Sequence, residues 1–491
     1  MLGSAVGAVL DGISASVVTV EADVGRGLPQ FHIVGLPDSA VNESKLRIRS
    51  AIRNSGLEFP NNRITVNLSP ANVRKRGAGL DLAIAVAILR AAGGLPASGE
   101  AIGFAAELSL SGGLAPVPEA VNLAIGLAAA GVHSVAIASA QTGSCVPIPR
   151  LTWHTYAHLR DLIHDLRTHG HLRRPFAPPP IVTAQADVDL VEVMGLDDVK
   201  RALTLAAAGH HPILLVGPPG CGKTMLAERL QTLLPDLAPN EALEVHAIHQ
   251  AAGSPRPPTL RPPMRMPHHT IGQAGLIGGG TPPAPGEVTL AHRGVLVLDE
   301  VLEFRRAALD ALREPLVQRE VRLTRGGRSV TYPASFLLAG TLNPCPCGQS
   351  GFGTCTCPEA AILRYWSHLS GPLLDRIDMV VPVRPALNQA HDDSARRVTS
   401  AELRAAVANA RMALADRTRG AQGDLHPGDF TAAARSRLHL AATRLPLSRR
   451  GTLAVARLAR TLSVMEGLDS VQPAHVDEAI ALRSPGLPVH R

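Results

Sequence analysis

The stretch Ile213-Leu-Leu-Val-Gly217-Pro-Pro-Gly-Cys-Gly-Lys-Thr224 decides the fold. Four apolar residues lead into a turn that fits G-x-x-x-x-G-K-[S/T] in full, and Met225–Leu234 continues with helical character. Gly217, Gly220 and Gly222 let backbone N–H groups converge on phosphates, and a helix start adds its positive dipole end. Pro218, Pro219 and Cys221 fill the variable positions of the loop. Lys223 is placed to reach the β- and γ-phosphates of ATP, and Thr224 to ligate Mg²⁺. A strand, this loop and a helix in that order predict a parallel α/β nucleotide-binding core.

Working outward, Val295-Leu-Val-Leu-Asp299-Glu300 reads as a buried parallel strand ending in two acids. Open α/β sheets bind ligands at that carboxyl edge. Asp299 suits the Mg²⁺ shell, and Glu300 suits the base that orients the attacking water. A further strand, Ser335–Leu342, delivers Asn343 to the same edge. Its uncharged amide can position water beside the γ-phosphate without perturbing charge; the other reading is a turn residue before Pro344.

The chain has 491 residues, too many for one core. Apolar residues make up 45% and charged residues 18%, the balance of an ordinary globular protein. The net charge of +7 is weak support for a nucleic-acid partner, since only Lys45, Lys75, Lys200 and Lys223 are lysines among 48 basic residues. Aromatics are only 3%, so a DNA contact would fall to arginine, lysine and backbone rather than to stacked bases. The N-terminal MLGSAVGAVLDG lacks a basic region, and apolar runs such as Leu82–Leu89 stop short of a membrane span. These features predict a cytoplasmic protein without a membrane partner.

Four of six cysteines fall in C-x-C-x₇-C-x-C, at Cys345, Cys347, Cys355 and Cys357. That is not a disulfide framework. Four thiolates so close could close a tetrahedral structural zinc site; free thiols and redox-labile pairs are the alternatives. His268 and His269 are further ligand candidates, or line a neighbouring loop.

Residues 1–172 mix short β-type runs (Ala15–Val20, Phe31–Val34, Ile64–Leu68, Ser134–Ile137) with helical stretches at Ser39–Asn54 and Leu80–Ala92, an α+β pattern. A proline-rich linker is expected over 173–188, the ATPase core over 189–386 and a helical lid over 387–491.

Several long motifs agree in order with a known family. HHTIGQAGLIGGGTPPAPGEVTLAHRGVLVLDEVLEF (268–304), TLNPCPCG (341–348) and SGPLLDRID (370–378) resemble the magnesium chelatase-like AAA+ proteins of the ComM/YifB type, as do residues 34–56 and 59–82. The resemblance covers nearly the whole chain. It implies a Lon-protease-like first domain, an AAA+ core and a helical lid, assembled as a hexameric ring. It implies ATP-driven branch migration of DNA during uptake and integration of transforming DNA. It places an arginine finger at Arg376 and a lid sensor at Arg450, with Arg449 beside it as the competing residue. Leu302, Val317 and Gly272 depart from the family's usual residues, which bears on the insert loops rather than on phosphate chemistry.

A Lon-type peptidase needs a serine activated by a lysine. No lysine lies between Lys75 and Lys200, and Ala78 occupies the glycine-rich turn, so no peptidase activity is expected. Arg74, Lys75 and Arg76 form a basic run, read either as a solvated face or as a DNA contact. Two other functions compete with the DNA motor. One is a protein-remodelling or metal-chelatase ATPase, and the other is a non-hydrolysing scaffold, which the intact Lys223, Asp299, Glu300 and Asn343 oppose.

Overall fold

The computed structural model describes residues 1–96, 101–281, 283–325, 328–384, 397–419, 427–445 and 447–483. The expected start of a lid at 387 lies outside them. The chain divides into two compact units: Met1–Val182 with Pro239–Thr259, and Thr183–Ala238 with Leu260–Arg491.

The first unit is built on an eight-stranded mixed sheet. Its strands are β1 (Leu2–Asp11), β2 (Ser14–Gly25), β3 (Gln30–Val34), β4 (Arg63–Ser69), β5 (Ile102–Ala105), β6 (Ser134–Ala138), β7 (Thr152–Tyr156) and β8 (Pro175–Phe176). The order is β8-β7-β6-β5-β1-β2-β4-β3. β1 and β2 form an antiparallel hairpin, while β1, β5, β6 and β7 run parallel. β8 arises from the stretch read as linker: Pro175 and Phe176 pair with His154 and Trp153 at the sheet edge, where a proline costs no ladder bond. The helix Ser39–Asn54 begins where Asp38 accepts the Val41 N–H at 2.9 Å, a side-chain N-cap. The helix Asp81–Ala91 is buried at every position but Arg90. Its leucine, isoleucine and valine side chains each contribute about 1.5–3 kcal/mol by burial, which makes this apolar run a core helix.

The helix Pro239–Ala251 belongs to the first unit although it follows the phosphate loop in sequence. Buried Asn122 ties it there, donating from Nδ2 to the carbonyls of Ile13 (2.8 Å) and Ala247 (3.0 Å).

The second unit carries a five-stranded parallel sheet of β9 (Ile213–Val216), β10 (Met264–Arg265), β11 (Val295–Leu298), β12 (Leu337–Leu342) and β13 (Met379–Pro382). Its order is β10-β11-β12-β9-β13, with every pair parallel. β9, β11 and β12 are buried throughout, as expected for strands covered on both faces. Val216 lies opposite Leu342 and Pro382, so the residues that follow β9 and β12 emerge side by side. Among the described residues after β13 are four helices, Ser400–Arg419, Ala432–Arg444, Arg449–Met465 and Pro473–Arg483, whose apolar residues Val407, Ala434, Val455 and Val476 join the core of the sheet. No helix of the described residues is long and apolar enough to cross a membrane.

Candidate nucleotide-binding site

The loop after β9 takes the shape its glycines permit. Gly220 and Gly222 sit at φ +77° and +87°, backbone that a side chain strains. At Gly217 a Cβ would stand 2.3 Å from the Val383 carbonyl oxygen, so the loop and the end of β13 approach too closely for any larger residue. The helix that follows begins at Lys223, two residues earlier than its apolar pattern suggests.

Half-buried Lys223 donates to the carbonyls of Gly217 (2.8 Å) and Pro218 (2.9 Å) and to Asn343 Oδ1 (3.0 Å). Burial lowers its pKa; Cys221, Asp299 and Glu300 push the other way. Thr224 Oγ1 donates to Asp299 Oδ1 at 2.9 Å. Four residues from three strand ends therefore meet at one edge of the sheet. Glu300 follows in the left-handed region at φ +51°, exposed, with its N–H given to Thr341 Oγ1 at 3.0 Å.

Thr341 is the residue the sequence reading passed over. Its hydroxyl donates to Asp299 Oδ1 while accepting from the Glu300 N–H, so one buried side chain positions both acids. The signal was a lone hydroxyl inside the apolar run of β12, a polar group that must find partners when buried.

Arg376 and Arg450 lie elsewhere. Together with Arg319, Arg457, His211 and Asp378 they line a cavity of about 390 Å³. Pro212, Phe336 and Asp378, also in its wall, directly precede β9, β12 and β13. The cavity is thus at the amino ends of the strands, about 13 Å of four-residue strand from the phosphate loop. Arg376 donates to the carbonyls of Arg313 (2.8 Å) and Pro372 (2.5 Å), and burial, Arg450 and Arg313 lower its pKa. Among the described residues it forms no ion pair with the acids beside it. Asp375 is matched to Arg483 (3.4 Å). Asp378 is matched to His211 (2.9 Å) and Arg457 (3.3 Å). Burial alone would raise the Asp378 carboxyl, but these partners hold it below its ordinary range. Arg450 lines the cavity and Arg449 does not.

The four clustered sulfurs converge. Cys345 Sγ is 3.3 Å from Cys347 Sγ and 3.7 Å from Cys355 Sγ, the latter two are 3.6 Å apart, and all four lie within 4.8 Å of one another, close enough to hold a metal ion. His268 and His269 are not in this group; their ring centroids lie 4.1 Å apart with the planes tilted by 33°, and His269 meets Phe304 edge-on. In the first unit the basic run is broken: Lys75 is fully buried and donates to the Pro70 carbonyl, while Arg74 alone is exposed. A solvated face of three charges is therefore not what forms.

A parallel sheet with a phosphate loop, two acids and an amide at its carboxyl edge defines a P-loop nucleotide-binding protein. Comparison with known proteins narrows the class. Residues 189–391 match the family described as "Magnesium chelatase, subunit ChlI", residues 20–141 match "Subunit ChlI of Mg-chelatase", and residues 397–483 match "Magnesium chelatase, subunit ChlI C-terminal". The chain is 37% identical over 490 residues to the uncharacterized protein YifB of Salmonella typhimurium, covering 96% of this chain and 95% of that one. It is 35% identical over 491 residues to the competence protein ComM of Haemophilus influenzae, covering 96% of each. A magnesium-chelatase 67 kDa subunit of Chlorobaculum tepidum is 25% identical over 202 residues, 40% of this chain. The chain belongs to the magnesium chelatase-like AAA+ family that includes YifB and ComM.

Proposed function

We propose that this protein is an ATPase that works on DNA as a ring, a hexamer in the reading taken from its family, and that it drives branch migration of incoming DNA during competence. The observation that carries the ATPase is the meeting of Lys223, Thr224, Asp299 and Asn343 at one sheet edge. Lys223 binds the β- and γ-phosphates. Glu300 takes the proton of the attacking water, the bond from the γ-phosphorus to the bridging oxygen breaks, and ADP and phosphate leave. The hard oxygens of Thr224 and Asp299, 2.9 Å apart, suit Mg²⁺, which would supply charge neutralisation to the phosphates. Zn²⁺ is the ion proposed for the cysteine cluster.

Arg376 and Arg450 stand at the far end of the strands from their own phosphate loop. They are suited to a neighbouring subunit's nucleotide, where cationic groups would offset charge developing on the γ-phosphate. This is the physical ground for a ring with shared sites. The DNA reading is supported by similarity to ComM along nearly its whole length, whereas the magnesium-chelatase 67 kDa subunit of Chlorobaculum tepidum aligns with 40% of this chain. We place the protein in the cytoplasm. We assign no peptide-bond chemistry to the Lon-like first domain, where Lys75 is spent on a carbonyl.

The deciding experiment measures ATP turnover of the full chain with and without a four-way DNA junction, beside a strand-exchange assay. Stimulated turnover and junction movement are expected. Turnover indifferent to branched or single-stranded DNA, with a static junction, would sink the DNA motor and leave the remodelling alternative.

A further inference from the structure

We infer that Cys345, Cys347, Cys355 and Cys357 bind one zinc ion that acts as a clamp on the phosphate site, fixing the loop behind Asn343 and holding it against Pro219. The metal site stands on its own geometry; its effect on turnover rests on the ATPase reading.

Tetrahedral zinc with Zn–S bonds of about 2.3 Å places its sulfurs about 3.8 Å apart. The recorded pairs, 3.3, 3.6 and 3.7 Å, fall near that value. They are far beyond the roughly 2.05 Å of a disulfide, and three mutually close sulfurs do not resolve into discrete pairs. Backbone N–H groups already point at the sulfurs. Ser350 donates to Cys345, Cys347 to Cys357 and Cys357 to Cys355, each at 3.4 Å. Such outer contacts orient ligands and stabilise thiolate charge. On binding, zinc replaces the thiol protons, and its free energy becomes folding energy for the segment that carries the ligands.

That segment needs it. From Asn343 to Pro358 no helix or strand forms, and its own backbone bonds are short-range, such as Gly348 N–H to the Cys345 carbonyl. Yet it borders the phosphate site twice. Asn343, two residues before the first ligand, receives the Lys223 ammonium. Gly348, one residue after the second, lies at φ +78°, where a Cβ would stand 2.5 Å from Pro219 Cδ. The Trp366 indole N–H, bonded to the Pro344 carbonyl at 3.0 Å, pins the other flank. A metal joining Cys345 and Cys347 to Cys355 and Cys357 closes the loop on which Gly348 sits, and so sets where Asn343 and Pro219 stand.

The test uses full-length protein purified without chelator. Elemental analysis is expected to give one zinc per chain, and protein produced in cobalt the ligand-field bands of a tetrahedral thiolate site. The double variant Cys355→Ser/Cys357→Ser should lose the metal and drop kcat for ATP about tenfold or more, with KM and binding of a fluorescent ATP analogue little changed. Gly348→Ala covers the case in which that variant does not fold: it should keep the zinc and still lose turnover, because the new methyl displaces Pro219. Wild-type protein without thiolate-bound metal overturns the site. Full kcat in metal-free or Gly348→Ala protein overturns the clamp. A zinc-loaded wild type that hydrolyses no ATP overturns the ATPase reading, and the clamp with it, while the metal count alone decides the site.

Discussion

The Lys223 ammonium donates to Asn343 Oδ1 across 3.0 Å, joining the phosphate loop to the end of a strand 120 residues further on. In the proposed mechanism Lys223 leaves this bond for phosphate and the amide stays beside it. Asn343→Ala removes the proposed water-positioning group and frees the lysine. It is expected to lower kcat about 10²-fold while ATP binding is kept. Asn343→Asp replaces the bond with an ion pair that competes with phosphate, so its ATP Kd should rise instead. Titration of an ATP analogue beside steady-state turnover separates the two; equal, small effects in both variants would remove Asn343 from the site.

The two acids after β11 depend on one hydroxyl. Thr341 accepts from the Glu300 N–H and donates to Asp299. Glu300→Gln keeps shape and hydrogen bonding but gives up the proposed base, so it should bind ATP nearly as wild type and turn over about 10²–10⁴ times more slowly. Thr341→Val, equal in shape, leaves the half-buried Asp299 carboxylate and the Glu300 N–H each short of one hydrogen bond. It should cost about 1–3 kcal/mol of stability as well as activity. Undiminished turnover in Glu300→Gln would refute the assignment of the base.

The core of this site was legible because each part is local: a glycine loop between a strand and a helix, and acids that follow four apolar residues. β9 and β11 fall at their expected residues, Ile213–Val216 and Val295–Leu298. Thr341 escaped because its lone hydroxyl in β12 signals a buried polar group without naming the partners, which come from a neighbouring strand. Other features were hidden because they depend on long-range pairing. Pro175 and Phe176 read as linker, yet an open sheet edge recruits them. The helix Pro239–Ala251 reads as part of the ATPase core, yet Asn122 holds it in the first unit. Lys75 reads as one of three surface charges, yet its backbone bridges to Pro37, and it is buried between exposed Arg74 and half-buried Arg76.

The position of Arg376 makes a prediction about pairs of broken chains. Arg376→Ala and Lys223→Ala should each be inactive alone. If the arginine serves a neighbouring subunit, mixing the two restores some sites, because the Arg376→Ala chain still offers an intact phosphate loop and the Lys223→Ala chain an intact arginine. Partial recovery of ATP turnover on mixing is expected, and likewise for Arg450→Ala with Lys223→Ala. No recovery, in mixtures shown by sedimentation to co-assemble, would mean that Arg376 acts within its own chain.

Buried Asp81 gives the first unit a pH dependence of its own. Its carboxylate meets Arg47 at 2.9 Å and accepts the Leu108 N–H at 3.4 Å. Even so, burial outweighs these partners and raises its pKa from 3.8 to about 6. The folded chain therefore binds more protons than the unfolded chain between those two values, and the free energy of unfolding falls as pH rises from about 4 to about 6. At 1.36 kcal/mol per pH unit the effect is bounded at about 3 kcal/mol. Amide protection in the helix Asp81–Ala91 of the intact chain, corrected for intrinsic exchange, should be higher at pH 5 than at pH 7.5. Asp81→Asn cannot titrate, so it should flatten that difference while giving up the ion pair with Arg47. Protection that instead climbs with pH in the wild type would show that Arg47 wins over burial and that the carboxylate is the form the fold prefers.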